Sequence, residues 1–202
     1  MIKLILVRHG TTICNEEGAM SGLTDSILSE KGRLQANKLS RYLKDEKIDK
    51  IYTTPLSRTK ETIKELAELK MIQVEETSQL NEIDFGDFEG LSFNVIEKKY
   101  PEEVEKMINE GFEYKYPNGE SLKETFIRVK NEMRKIISEN ENSTVLICSH
   151  GGTIRNIISY LLCDDYKYHW NFRIDNGSIT EIEVDNNFAV INKINDTTYF
   201  NI

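Results

Sequence analysis

The 202-residue chain has little cysteine, little histidine and no long apolar run, and each shortage narrows what it can be. Its three cysteines (Cys14, Cys148 and Cys163) cannot all pair within the chain and show no Cys-x-x-Cys spacing. That argues against structural zinc and for a reducing, cytoplasmic compartment. No stretch approaches the roughly 20 apolar residues of a membrane span. Residues 1–8 are too short and too soon charged for a signal peptide, and read better as a first strand. Basic charge is short too: 26 lysines and arginines face 34 acidic residues, for a net charge of −8. Nucleic acid and anionic membranes both require a basic face, so neither is expected as a partner. An anionic substrate must then be held by a local basic pocket against the overall field. Repeats, low-complexity tracts and linkers are also missing, so residues 1–202 are expected to form a single domain.

What is there alternates between strand and helix signals. Residues 2–7 are apolar apart from Lys3, as a central parallel strand requires, and residues 144–149 repeat the pattern. Ser29 is placed to cap a helix over residues 29–45, with Ala36, Leu39, Tyr42 and Leu43 at helical spacing. A short strand at 50–53 precedes a helix that Ser57 could cap, whose inner face carries Thr59, Ile63, Leu66 and Ala67. Another short strand is expected near 72–74. Residues 84–119 lack strand pattern and hold two short helices split by Pro101. Ser121 and Glu124 form a capping box ahead of a stripe of Leu122, Phe126, Val129, Met133, Ile136 and Ile137. A helix over 153–162 and two strands near 178–184 and 189–194, around a turn at 185–187, complete the chain. The fold class is α/β, a three-layer α/β/α sandwich with a mostly parallel central sheet. The C-terminal strands are expected either to pair across a homodimer or to complete the sheet.

Two of the three histidines follow the two apolar strands, as Arg8-His9-Gly10 and Ser149-His150-Gly151-Gly152. Arg58 lies just beyond a third strand. Ligands of open parallel sheets bind in the crevice beyond the carboxyl ends of the strands, so these groups are expected to converge there. Arginine's planar fork matches phosphate oxygens, and glycine lets backbone approach an anion closely. Neighbouring arginines also disfavour imidazolium and keep His9 neutral and nucleophilic. Glu82 is the candidate proton donor for a leaving oxygen. Each residue alone is weak evidence: a histidine at a strand end is more often structural, and Cys148 reads as a small core residue. Their co-occurrence carries the case.

Together these residues resemble the histidine phosphatase superfamily, the clan that includes cofactor-dependent phosphoglycerate mutase. Arg8-His9-Gly10 with Thr12 and Asn15 is similar to its signature, although Thr11 stands where an acidic residue or glutamine is usual. Residues 28–36, residues 53–62, and Ser149-His150-Gly151-Gly152 with Arg155 resemble its other motifs, with weaker agreement at residues 176–179. The resemblance implies a phosphoglycerate mutase-like fold, with a small helical cap at about residues 84–119. It implies a phosphohistidine at His9, phosphoryl oxygens held by Arg8, Arg58 and His150 with Asn15 and Gly151 assisting, and Glu82 as acid. It requires no metal and no cofactor, only a small-molecule phosphate ester. Mutases of the family carry an Arg-His-Tyr-Gly run after the acid, whereas this chain has Ile83-Asp84-Phe85-Gly86. The surrounding stretch resembles small bacterial phosphatases such as alpha-ribazole phosphatase. Mutase-type phosphoryl transfer is the alternative, and a non-catalytic phospho-ligand binding module the second. A cysteine-based phosphatase fails on spacing, because Cys148 and Arg155 stand seven positions apart rather than six. A metal-dependent hydrolase lacks a carboxylate–histidine ligand set.

Overall fold

The two apolar runs expected to be buried strands lie side by side in the middle of one sheet. In a computed structural model that describes residues 1–186 and 188–201, the strands are β1 (Ile2–Arg8), β2 (Lys50–Thr53), β3 (Val74–Glu76), β4 (Thr144–Ser149), β5 (Ile179–Asp185) and β6 (Phe188–Asp196). Their order is β3-β2-β4-β1-β5-β6. The first four run parallel, while β5 and β6 add antiparallel pairs at the β1 side. The C-terminal strands thus complete the sheet of their own chain. Register sets the carboxyl ends level: Arg8 pairs with Ser149, and Thr53 with Cys148.

Helices cover both faces, as a parallel sheet requires. Side chains alternate along a strand, so Leu4 and Leu6 of β1 point one way and Ile5 and Val7 the other. The first pair joins a core with Val129, Met133 and Ile136 of α6 (Leu122–Glu139) and Ile154, Ile157 and Ile158 of α7 (Gly151–Cys163). The second pair meets Leu39 of α2 (Glu30–Tyr42) and Ile63, Leu66 and Ala67 of α3 (Ser57–Lys70). Cys148 is fully buried in this second core, and burial pushes its thiol pKa up. Among the described residues no helix is long and apolar enough to cross a membrane.

Several boundaries differ from expectation for local reasons. The capping box at Ser121 and Glu124 forms, and Ser29 accepts from Gly32 N–H. Ser57, however, does not cap α3. It is the helix's first residue, and the Asp25 carboxylate accepts from both its N–H and its hydroxyl at 2.8 Å. The helix expected over 29–45 stops at Tyr42, whose ring is 38% exposed and stacks on Tyr199 at 5.2 Å. The strand expected at 72–74 begins at Val74, because Met71 ends α3 in the left-handed conformation. A short helix that the periodicity did not suggest, α1 (Ile13–Glu17), is held by a capping box of Thr12 and Asn15. The turn expected at 185–187 includes residue 187, which lies outside the described residues.

Between β3 and α6 come α4 (Phe93–Lys99) and α5 (Pro101–Glu110), with the proline at the first helical position where its missing N–H is harmless. Phe88 and Tyr114 are buried, and Phe85, Tyr100 and Tyr116 complete a cluster of rings 5.1–6.0 Å apart. Lys106 and Lys115 are paired with Glu103 and Glu124 at the surface.

Candidate active site

Where β1, β2 and β4 end, the chain delivers His9, Thr54 and His150 to one edge of the sheet. Two glycines make the approach close. A Cβ on Gly10 would lie 2.7 Å from Gly32 O, and one on Gly32 would lie 2.1 Å from Thr11 O, so the loop after β1 packs directly on α2. Gly10 N–H donates to Thr62 Oγ1 at 3.0 Å.

His9 is 4% exposed, and its Nδ1 lies 2.7 Å from Gly10 O. A carbonyl only accepts, so Nδ1 carries the proton and the Nε2 lone pair is left free. Burial first, then the charges of Arg58 and Arg8, hold His9 well below the usual imidazole range, and the bond to Gly10 opposes them only in part. His150 sits against it with ring centroids 5.2 Å apart, edge to face. It too is fully buried and held low, by burial and then by Arg58, His9 and Arg8. Arg58 Nε donates to His150 Nδ1 at 3.2 Å, so the His150 proton is on Nε2, facing Thr54 Oγ1 at 3.2 Å. That hydroxyl donates onward to Thr59 Oγ1 at 2.8 Å, because Thr59 in turn donates to the carbonyls of Thr54 and Leu56. Every proton in this chain has one consistent direction.

Arg58 is 1% exposed, and most of its donors are committed to the protein: Nη1 to Thr24 O at 2.8 Å, and Nη2 to Gly22 O at 2.6 Å and Ser21 O at 3.3 Å. Arg8 differs. Its Nη1 donates to Ile174 O at 2.7 Å, but its Nε is buried without a partner among the described residues. A Cβ on Gly151 would stand 3.2 Å from that nitrogen, so glycine at the start of α7 leaves the guanidinium room. An orphaned cationic donor at a helix N-terminus is poised for an anion. Asn15 accepts at its side-chain oxygen from Thr12 N–H and from Asn176 Nδ2, at 3.1 and 2.9 Å, and its own amide hydrogens take no part in this network.

Glu82 arrives on the segment after β3. Ser149 Oγ and Thr153 Oγ1 donate to Leu80 O and Asn81 O, at 2.7 and 2.8 Å. Arg128 holds the carbonyls of Gln79 and Asn81 from α6, at 2.7 and 3.2 Å. The Glu82 carboxylate accepts from Gly152 N–H at 2.9 Å and from Ile83 N–H at 3.1 Å. The first turn of α7 therefore carries His150, shapes the space around Arg8 and seats Glu82.

The structure brings together all the residues singled out from the sequence: Arg8, His9, Asn15, Arg58, Glu82, His150 and Gly151. Sequence reading passed over Thr54, Asn176 and Glu89. Thr54 sits within a quoted motif, but only its contact with His150 shows what it does. Asn176 bridges Asn15 and His9 O from the far end of the chain. No local pattern distinguishes Glu89 from the other acidic residues.

A family model described as histidine phosphatase superfamily (branch 1) matches residues 4–197. Over 199 residues the chain is 36% identical to Phosphoserine phosphatase 1 of Hydrogenobacter thermophilus, covering 98% of this chain and 94% of that one. It is also 35% identical, over 166 residues, to a 2,3-bisphosphoglycerate-dependent phosphoglycerate mutase 2 of Gloeobacter violaceus, covering 80% and 76%. The structure is similar to that of a putative alpha-ribazole-5'-P phosphatase from Escherichia coli, with a TM-score of 0.92 and 26% identity over 96% of each chain. It is also similar to a phosphoserine phosphatase from Entamoeba histolytica in complex with 3-phosphoglyceric acid, with a TM-score of 0.86 and 28% identity over 99% and 100%.

Proposed function

The chain belongs to the histidine phosphatase superfamily, and on that premise we propose that it hydrolyses small phosphomonoesters by carrying the phosphoryl group on His9. The observation that carries this reading is the geometry of His9: its Nδ1 donates to Gly10 O and its Nε2 is left free, beside Arg8 and Arg58, whose charges together with burial hold the ring well below the usual imidazole range. Nε2 attacks phosphorus, the N–P bond forms as the ester P–O bond breaks, and Glu82 gives its proton to the leaving oxygen. In the second half the Glu82 carboxylate takes a proton from water, whose oxygen attacks phosphorus. Inorganic phosphate leaves and His9 is again neutral. Arg8, Arg58, His150, whose Nε2–H would exchange Thr54 Oγ1 for a phosphoryl oxygen, the Asn15 amide and the start of α7 at Gly151 stabilise the phosphoryl charge, the task a metal performs elsewhere.

Phosphoserine is the first candidate substrate, supported by the near full-length relative of that name, and alpha-ribazole phosphate is the second. Mutase-type transfer is disfavoured by residues 83 and 84: Ile83 is buried, and Asp84 accepts from Gly86 N–H at 2.8 Å, where mutases place a basic pair. The test is phosphate release from phosphoserine, alpha-ribazole phosphate, 3-phosphoglycerate and an aryl phosphate, with excess chelator throughout. Chelator-resistant release, fastest with phosphoserine, is expected. Isomerisation of phosphoglycerate without release would make the protein a mutase, and loss of release on chelation would sink the metal-free mechanism.

Gly152→Ala tests the role of Glu82 without touching it. The new Cβ would fall 2.5 Å from Glu82 Oε1, so the carboxylate must move. A misplaced proton donor is expected to lower kcat by roughly 10²-fold, with the thermal midpoint little changed. An unaltered kcat would separate Glu82 from the proton transfer.

A further inference from the structure

The loop over residues 21–24 is gripped from both sides by opposite charges. On one side the Glu89 carboxylate accepts from Gly22 N–H at 3.0 Å, Leu23 N–H at 2.9 Å and Thr24 N–H at 3.1 Å, and also from Phe85 N–H at 3.2 Å. On the other side Arg58 donates to the carbonyls of Ser21, Gly22 and Thr24. Ser21 O and Gly22 N–H belong to one peptide group, and Gly22 O and Leu23 N–H to the next. Each of these two peptide planes is thus bonded to a carboxylate through its N–H and to a guanidinium through its oxygen. Bonds aligned in this way polarise one another. The crossing is also tight, since a Cβ on Gly22 would lie 1.9 Å from Ile83 O and 2.5 Å from Glu89 Oε1.

We propose that Glu89 is a positioning residue for the phosphoryl site, acting through the peptide groups of residues 21–24 on the Arg58 guanidinium and so on His150. The loop carbonyls set the plane of Arg58, and Arg58 Nε fixes the His150 tautomer by donating to Nδ1. The chain of contacts continues through the His150 Nε2–H to Thr54 Oγ1. Because Glu89 also holds Phe85 N–H, three residues after Glu82, the same carboxylate ties the phosphate-binding arginine to the segment bearing the acid. Glutamine at position 89 has the right shape but would turn an NH2 group toward several N–H donors, leaving amides unpaired.

This inference rests on the reading that Arg58 and His150 hold the phosphoryl group, and a double-mutant cycle separates the two. Glu89→Gln is expected to lower kcat and to weaken competitive inhibition by inorganic phosphate, each roughly tenfold, with Glu89→Asp recovering part of both. Arg58→Lys keeps the charge but loses the fork, and should cause a comparable loss. In the Arg58→Lys background, Glu89→Gln should add no more than about twofold, because the two residues act through one loop. Fully multiplicative losses, or wild-type kinetics for Glu89→Gln, would overturn the proposal. If Glu89→Gln does not fold, Glu89→Asp alone and combined with Arg58→Lys decides between the same two outcomes. An Arg58→Lys variant with wild-type kinetics and phosphate inhibition would instead overturn the phosphoryl-site reading on which the inference stands.

Discussion

His9→Ala is expected to reduce phosphate release by on the order of 10⁴-fold or more, to a rate indistinguishable from the uncatalysed background. The His9 imidazole keeps an uncommitted, unprotonated nitrogen, because Nδ1 is pinned by Gly10 O, while the His150 ring is locked between Arg58 and Thr54. Cys148, two residues before His150, is fully buried with its thiol raised, and its sulfur donates to Thr59 O. The companion measurement is chemical. A phosphoramidate is stable in alkali and labile in acid, so enzyme quenched in base during turnover of a radiolabelled substrate should retain label, and the variant should not. Labelled wild type with unlabelled His9→Ala establishes the intermediate. Equal turnover by both proteins would move the nucleophile elsewhere.

The second large effect is on stability. All three histidines are buried and held below the ordinary imidazole range: His9 and His150 by burial and arginine charge, His169 by burial and Arg155, down to about 3. Above the unfolded pKa of about 6.5, both states carry neutral imidazole and nothing is lost. As pH falls through that value the unfolded chain takes up protons that the folded protein refuses, so stability declines with falling pH. From pH 7 to pH 5 the linkage amounts to about 2 kcal/mol for His169, and His9 and His150 act in the same direction. Even one such histidine is a sizeable share of the roughly 5–15 kcal/mol typical of a domain. Carboxylates whose partners outweigh the opposing effect of burial, such as Glu120 beside Arg128 and Glu181 beside Lys193, add their losses at lower pH, below their own unfolded values. Urea midpoints at pH 7, 6 and 5 should therefore fall steeply. A midpoint that does not move over this interval would mean that the histidines are charged inside the fold.

How much of this was readable from residues alone depends on the range of the forces involved. Central strands announce themselves because a strand buried on both faces has to be largely apolar, as the middles of β1 and β4 are. The α6 stripe and its capping box were legible for a similar reason, since hydrogen bonds and burial there repeat at fixed sequence offsets. Boundaries set by distant partners were not. Asp25, rather than Ser57, satisfies the start of α3 from 32 residues away, and α1 is too short to show a period. Most of the candidate-site residues were legible because they stand in short motifs at or just beyond strand ends, where the topology of a parallel sheet brings them together.

The residues alone set out the chemistry on offer: Arg8, His9 and His150 where two buried strands end, and Arg58 and Glu82 on the segments that follow two others. The tertiary structure decided how that chemistry is set. Which nitrogen of His9 and of His150 carries the proton depends on Gly10 O and Arg58 Nε. Which arginine is free depends on three loop carbonyls that occupy Arg58 and on the buried Nε that Arg8 keeps unpaired. The importance of Glu89 appears only when residues 22–24 are seen to fold around it. The physical reason is that burial preference is a property of each residue and its near neighbours. Hydrogen-bond direction is a property of pairs, and here the partners lie as many as 167 residues apart.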